Sequence, residues 1–152
     1  MATRIDKFSE FAYSPQGVDT VAKCTEALGG ESSDVMQTPL FINTKLYDKV
    51  VATVTGFSLV STHVLTLTLM EATATDGTGS ADLSGKSTTH TATAIGDEYR
   101  FMVEVDSEEL SSGFQYVGAK VETDDADGSE SCCITLFPMN PRHSLQTLLS
   151  PL

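Results

Sequence analysis

Aromatic residues are scarce in this sequence, which contains no tryptophan and only four tyrosines among 152 residues. Sites that bind sugars use exposed aromatic rings, and tryptophan and tyrosine suit them because each joins an apolar ring to a polar group. The composition therefore counts against a glycan-binding role.

Basic residues are also few. Nine Lys and Arg stand against 21 Asp and Glu, which gives a formal net charge of −12. Proteins that bind nucleic acid cluster basic side chains against the phosphates, so we expect no nucleic-acid partner. The same charge favours solubility and suits docking on a basic protein surface.

Long apolar runs are missing as well, so we expect no membrane span. The N-terminus carries Arg4, Asp6 and Lys7, where a signal peptide would need its apolar core. We therefore expect the protein to be made in the cytoplasm and used without secretion.

Cysteine occurs three times, an odd count. Cys132 and Cys133 are adjacent, and neighbours on a strand point to opposite faces, so they are not expected to pair with each other. Cys24 lies in a different region, and no Cys-x-x-Cys occurs. We predict that all three cysteines are reduced and that none has a redox role.

Metal-ligand spacing is also absent. His63, His90 and His143 are far apart, and none has a further ligand at zinc spacing. The acidic segment 124–130 resembles the start of a calcium loop, but Gly128 comes too early and the twelfth position is Leu136. We interpret this segment as a solvated acidic hairpin loop.

Catalytic motifs do not occur either. The run from Gly77 to Asp82 is glycine-rich, but an acid at its sixth position would repel a pyrophosphate. No serine stands in a nucleophile elbow or a triad setting. We predict a non-enzymatic protein with no catalytic, cofactor-binding or metal-binding residue. The enzymatic alternative is an acid pair of Glu104 and Glu122, provided that the two carboxyls are buried and close.

What the sequence does contain is strand periodicity. Leu65, Leu67 and Leu69 alternate with Thr66 and Thr68, the pattern of a strand with one buried face. Turn clusters separate several such segments, which indicates an antiparallel sandwich or barrel. The predicted strands cover 41–47, 50–57, 59–73, 88–95, 99–105, 114–123 and 131–137.

Composition divides the chain into three parts. Residues 1–40 are predicted as an irregular N-terminal arm or lead-in, with a short helix over 18–28. Residues 41–137 form the β-sandwich, in which Ser107 is expected to cap a helical turn over 107–110. The prolines of 138–152 indicate a C-terminal tail that is not a central strand. The arm is expected either to cover an edge of the domain or to dock on a partner.

One segment resembles a known family. The strand ending at Leu67 and Leu69 leads into Glu71-Ala72-Thr73 and then Asp76-Gly77-Thr78-Gly79, with a Ser84-Gly85-Lys86 turn after it. This pattern is similar to that of the head-decoration, or cement, proteins of tailed bacteriophages. The likeness covers 60–143 and continues through Phe101–Val105, Glu109-Leu110, Gly113–Val117 and Pro141-Arg142. His143, the acids of 124–127 and the adjacent cysteines depart from it.

The resemblance implies an all-β, antiparallel β-sandwich of jelly-roll type on the outside of a phage capsid. Such a protein binds the major capsid protein and itself, commonly as a homotrimer, and clamps capsid subunits together. Residues 1–40 and the C-terminal tail are the expected contacts. The alternative is another virion component, a tail-associated or fibre-associated sandwich that binds host glycan.

Overall fold

The computed structural model of the protein describes residues 21–28, 35–58, 61–124 and 130–141. These residues form nine strands in two antiparallel sheets that pack face to face. The strands are β1 Val21–Leu28, β2 Val35–Gln37, β3 Ile42–Asn43, β4 Tyr47–Ser58, β5 Val64–Ala72, β6 Ala81–Thr91, β7 Glu98–Asp106, β8 Tyr116–Thr123 and β9 Glu130–Pro141. This confirms the predicted all-β sandwich.

The strand order is that of a jelly roll. One sheet has the order β1-β9-β4-β7, and the other has β2-β8-β5-β6, with the two-residue β3 also pairing with β8. If β3 is left aside, each sheet begins with two strands from opposite ends of the chain, β1 with β9 and β2 with β8, and continues with two strands from its middle. Two Greek keys wound into two sheets produce this order.

The core lies between the sheets and follows the alternation seen in the sequence. Leu65, Leu67 and Leu69 of β5 are fully buried, and Val50 and Val54 of β4 face them from the other sheet. Inward residues of the other strands, including β8 and β9, belong to the same cluster. A strand buries alternate residues, so a single apolar layer from each sheet is enough to fill the space between them.

The N-terminal part differs from the prediction. Residues 21–28 form β1, an edge strand paired with β9, rather than the end of a helix over 18–28. Residues 35–37 pair with β8, so part of the predicted arm belongs to the sandwich. The apolar spacing fits a helix, but the hydrogen bonds to β9 favour the strand, and strand preference depends on such neighbours.

The C-terminal part also contains more strand than predicted. β9 is a central strand that continues to Pro141, through residues predicted to lie in a tail. Pro138 lies opposite Val50 of β4. The pairing of β1 with β9 ends at Leu136, so this end of β9 has only β4 as a neighbour within the described residues. A missing N–H is tolerated at such an edge.

Three smaller predictions are also corrected: the cap of a turn, the bounds of a strand and the state of a cysteine. The 3₁₀ turn Ser107–Glu109 is capped by Asp106 rather than Ser107, and the Asp106 N–H donates to Glu109 Oε2 at 2.8 Å. The strand predicted over 88–95 instead covers Ala81–Thr91, so Ser84-Gly85-Lys86 lies within β6. The prediction of three reduced cysteines is wrong for Cys133, which is disulfide-bonded.

Candidate interaction surface

Each sheet has an outward face, and the two faces differ. We call the outward residues of β1, β9, β4 and β7 the open face. Its rows, read from β9 across β4 to β7, are Met139–Lys49–Asp106, Phe137–Val51–Glu104, Thr135–Thr53–Met102, Cys133–Thr55–Arg100 and Ser131–Phe57–Glu98. Large apolar side chains therefore lie on all three strands, and acidic side chains lie along β7.

Large apolar side chains on the open face are exposed. The exposed fractions are 56% for Met102, 46% for Met139, 43% for Phe57 and 41% for Phe137. Scattered exposed apolar residues are common in soluble proteins, but these four lie on one sheet face, with Val51 and several threonines in the rows between them. Several large apolar side chains exposed on one sheet face are typical of a protein interaction site.

Charge borders the patch along β7. Lys49 Nζ donates to Glu104 Oε1 at 2.9 Å and lies 3.6 Å from Asp106 Oδ1. The hydrogen bond to Glu104 and the attraction of Asp106 raise the pKa of Lys49 against the opposing effect of burial. Beyond this row, Asp48, Asp106, Ser107 and Glu108 line an open depression. Acidic side chains thus outnumber basic ones along β7, where Arg100 lies between Glu98 and Met102.

We call the outward residues of β2, β8, β5 and β6 the covered face. Part of it lies under Phe41, which is 3% exposed and packs with Met70, Ala72 and Tyr116 in a second apolar cluster. The segment 38–41 crosses this face. At its start, Thr38 continues the pairing with β8 through both its backbone and its side chain. Its N–H donates to the Ala119 carbonyl at 2.9 Å, and its Oγ1 accepts from the Ala119 N–H at 3.1 Å.

Two glycines make room for Phe41. A Cβ added at Gly118 would lie 2.5 Å from the Phe41 ring, and one added at Gly77 would lie 2.8 Å from it. Gly77 also has φ +81°, a conformation that other residues adopt at a cost. The Phe41 N–H donates to the Thr75 carbonyl at 2.8 Å, which ties the two loops together.

The turn that carries the family resemblance is the second of these loops. Asp76 Oδ1 accepts from the Thr78 N–H at 2.9 Å, and both the N–H and the hydroxyl of Thr73 donate to the Thr78 carbonyl. Hydrogen bonds from Thr78 lower the pKa of Asp76. This turn therefore has a structural role, holding the cover over β5 and β8, as its predicted turn chemistry indicates.

The remainder of the covered face is polar. Lys120 Nζ lies 2.9 Å from Asp82 Oδ2 and 3.4 Å from Glu122 Oε1. Burial would lower the pKa of Lys120, but the hydrogen bond to Asp82 and the attraction of both carboxylates outweigh it, so the pKa is raised. This ion group resembles the one around Lys49, on the opposite side of the sandwich.

Histidines and aspartates meet at one end of the sandwich. His63 Nδ1 lies 3.1 Å from Asp124 Oδ1, which also accepts from the Val64 N–H at 2.8 Å. The Val64 hydrogen bond is the main reason why the pKa of Asp124 is lowered. The His90 ring stacks on Phe101 and meets Tyr99 at a tilt, and its Nε2 lies 3.5 Å from Asp97 Oδ2. Segment 125–129 of the acidic loop lies outside the described residues.

The acid pair considered in the enzymatic alternative does not form. Glu104 lies on the open face, whereas Glu122 lies on the covered face, and each approaches a different lysine. Their side chains are 59% and 39% exposed, so neither carboxyl is shielded from water. In the described ranges, no three His, Cys, Asp or Glu side chains are grouped to hold a metal ion, and no helix could cross a membrane.

The residues of the open face were not identified as a site from the sequence. The signal was present, because strand alternation over 99–106 puts Met102 on the outward side between Arg100 and Glu104. Phe137 ends the predicted strand 131–137, whereas Met139 was hidden, since the prolines beside it predicted a tail rather than a strand.

No protein-family model matches this chain, and no curated protein matches it. Among solved structures it is similar to that of the infectious bursal disease virus Gt strain, with a TM-score of 0.43 and 10% identity over 78% of this chain. The chain spans only 29% of the length of that viral chain.

Two carbohydrate-binding modules also match. One is the CBM28 module specific for non-crystalline cellulose, with a TM-score of 0.43 and 9% identity over 83% of this chain and 74% of that chain. The other is the family 11 module of Clostridium thermocellum, with a TM-score of 0.30 and 10% identity over 86% and 89% of the two chains. Likenesses this distant carry no functional argument, and the fold rests on the strand order itself.

Proposed function

We propose that this chain is a structural, non-enzymatic virion protein that binds the outer surface of a tailed-bacteriophage capsid and stabilises contacts between major capsid protein subunits. It is made in the bacterial cytoplasm and acts on the capsid exterior as a homotrimer. The observation that carries the proposal is the open face, a sheet face with four large exposed apolar side chains and mainly acidic charged residues along β7. The resemblance over 60–143 supports the choice of partner.

The chemistry of the open face indicates what its partner offers. Along β7 the apolar side chains are flanked by three acids and by Arg100, an excess of negative charge that fits a capsid surface presenting apolar side chains flanked by basic ones. The net charge of −12 adds a long-range attraction toward such a surface.

The free energies of apolar burial and of association explain why several copies act together. The exposed parts of Met102, Met139, Phe57 and Phe137 amount to roughly 350 Å², worth on the order of 9 kcal/mol if buried at about 25 cal/mol per Å². Losing translational and rotational freedom on binding costs about 4–15 kcal/mol, so a single copy holds weakly. Three linked copies incur most of that cost once, and their combined affinity is far higher.

The test is binding of purified protein to undecorated phage heads, followed by co-sedimentation and cryo-EM. Wild type should bind saturably, and Met102→Glu should lose at least tenfold in affinity because it puts a charge in the patch. Thr89→Glu is the matched control, since it adds the same charge at an exposed position of β6 on the other face.

The outcomes separate the alternatives. Equal loss of binding in both variants would show that overall charge, rather than the open face, controls docking. No saturable binding to heads would overturn the proposal, and binding to a glycan array in its place would favour the tail-associated or fibre-associated alternative.

A further inference from the structure

Cys133 is disulfide-bonded, and the chain offers two other cysteines as its partner. Cys132 is a buried thiol, and its inward position puts it on the opposite side of β9 from Cys133. Cys24 of β1 stands directly opposite Cys133 in the register of the two antiparallel strands. Residues opposed in this way have Cα atoms about 4.5–5.5 Å apart, within the range of about 4.4–6.8 Å that a disulfide spans.

We propose that Cys24 and Cys133 form an intrachain disulfide that attaches the edge strand β1 to β9 once the protein leaves the reducing cytoplasm. In forming the bond, the two thiols give up two protons and two electrons to a small disulfide such as oxidised glutathione, which becomes two thiols. Cys132 keeps its thiol. The timing of the reaction rests on the proposed virion location, whereas the pairing rests on the register.

The position of β1 in the sheet explains what the disulfide would stabilise. β1 is the outermost strand of its sheet, and within the described residues its only strand neighbour is β9. The register also shifts between Thr25 and Leu28, so its ladder is interrupted. A covalent link at Cys24 holds the strand beside this irregularity, and the loop it closes spans about 110 residues, a length for which the lost freedom of the unfolded chain is large.

The pairing is tested by peptide mapping of protein equilibrated with oxidised glutathione and alkylated before digestion. Trypsin should release peptide 24–45 linked to peptide 121–142, since cleavage follows Lys23, Lys45, Lys120 and Arg142. Cys133→Ser and Cys24→Ser should each abolish the linked species, and the matched control Cys132→Ser should keep it. Three alkylated thiols per chain, a link that survives Cys133→Ser, or disulfide-linked dimers on a non-reducing gel would each overturn it.

The stabilising role is tested on the unaltered chain by thermal unfolding with and without dithiothreitol. Reduction should lower the Tm by on the order of 10 °C, given the loop length. Hydrogen exchange of the β1 amides should rise at least tenfold, more than that of the β4 amides. The Cys24→Ser/Cys133→Ser variant should not respond to dithiothreitol. An unchanged Tm and unchanged β1 exchange would refute the role, and neither result depends on whether the protein binds phage heads.

Discussion

The two outward faces of this sandwich are built from similar strands but differ in what lies on them. On the covered face, Met70 is 7% exposed and Ala72 is fully buried, because Phe41 packs over them. On the open face, Met102 and Met139 are about half exposed. The difference comes from two glycines and one short segment, since Phe41 needs Gly118 and Gly77 to reach the sheet.

Apolar side chains therefore serve folding on one face and are available for binding on the other. Those under Phe41 gain their stabilisation when the chain folds, so their removal should be felt in the free energy of unfolding. Those on the open face gain little on folding and remain available to a partner. The covered face therefore contributes to stability, and the open face is the surface proposed to bind the capsid.

The sharpest test of the comparison replaces one phenylalanine on each face. Phe41→Ala should lower the free energy of unfolding by about 3–5 kcal/mol, because it empties a buried site between β5, β8 and two loops. Phe57→Ala, at a residue that is 43% exposed, should lower it by less than about 1 kcal/mol. Urea unfolding followed by circular dichroism measures both. Similar losses would mean that the two faces are equivalent for stability.

Gly118→Ala is a smaller change on the covered face. The added Cβ would lie 2.5 Å from the Phe41 ring, so the ring must shift, at a cost of about 1–3 kcal/mol in the free energy of unfolding. In a Phe41→Ala background the same substitution should cost less than half as much, since the obstructing ring is gone. An equal cost in the two backgrounds would show that Gly118 is required for a reason other than Phe41.

Much of the fold was predictable because β5 and β7 carry their pattern locally. The alternation of Leu65, Leu67 and Leu69 marks a half-buried strand without reference to any partner. β1 is different, since its apolar spacing fits a helix and only pairing with β9, more than 100 residues away, decides the outcome. Pro138 led to the incorrect prediction of a tail for the same reason. A proline is tolerated where a strand has a neighbour on one side only, and the sequence does not show which strands are neighbours.

The open face was partly predictable and the covered face was not. Met102 stands at an outward position between charged residues, a signal that local alternation supplies. The cover depends on Phe41 meeting Gly118, 77 residues later, and no local pattern links the two. The cysteine pairing needed the β1–β9 register in the same way. The capsid partner, the trimer and the absence of enzymatic activity stay predictions.

The smallest expected effect comes from the two lysines, one on each face. Lys120 and Lys49 each lie between two carboxylates, but their side chains are 17% and 26% exposed, so water screens the Lys49 group more. At pH 7, Lys120→Met should lower the free energy of unfolding by at most about 1 kcal/mol, the usual range for an ion pair near the surface. Lys49→Met should lower it less.

The pH dependence of that difference shows whether charge is its source. The pKa of each lysine is raised in the folded protein above its ordinary value of 10.5, so the folded state holds the proton more tightly than the unfolded chain does. The stabilisation is therefore fully present below pH 10.5 and is lost as the pH rises through the folded-state pKa. Urea midpoints of wild type and Lys120→Met should differ at pH 7 and converge once the pH exceeds the folded-state pKa of Lys120. A difference in urea midpoint that persists at that high pH would mean that Lys120 stabilises the fold by packing its aliphatic chain on β8 rather than by its charge.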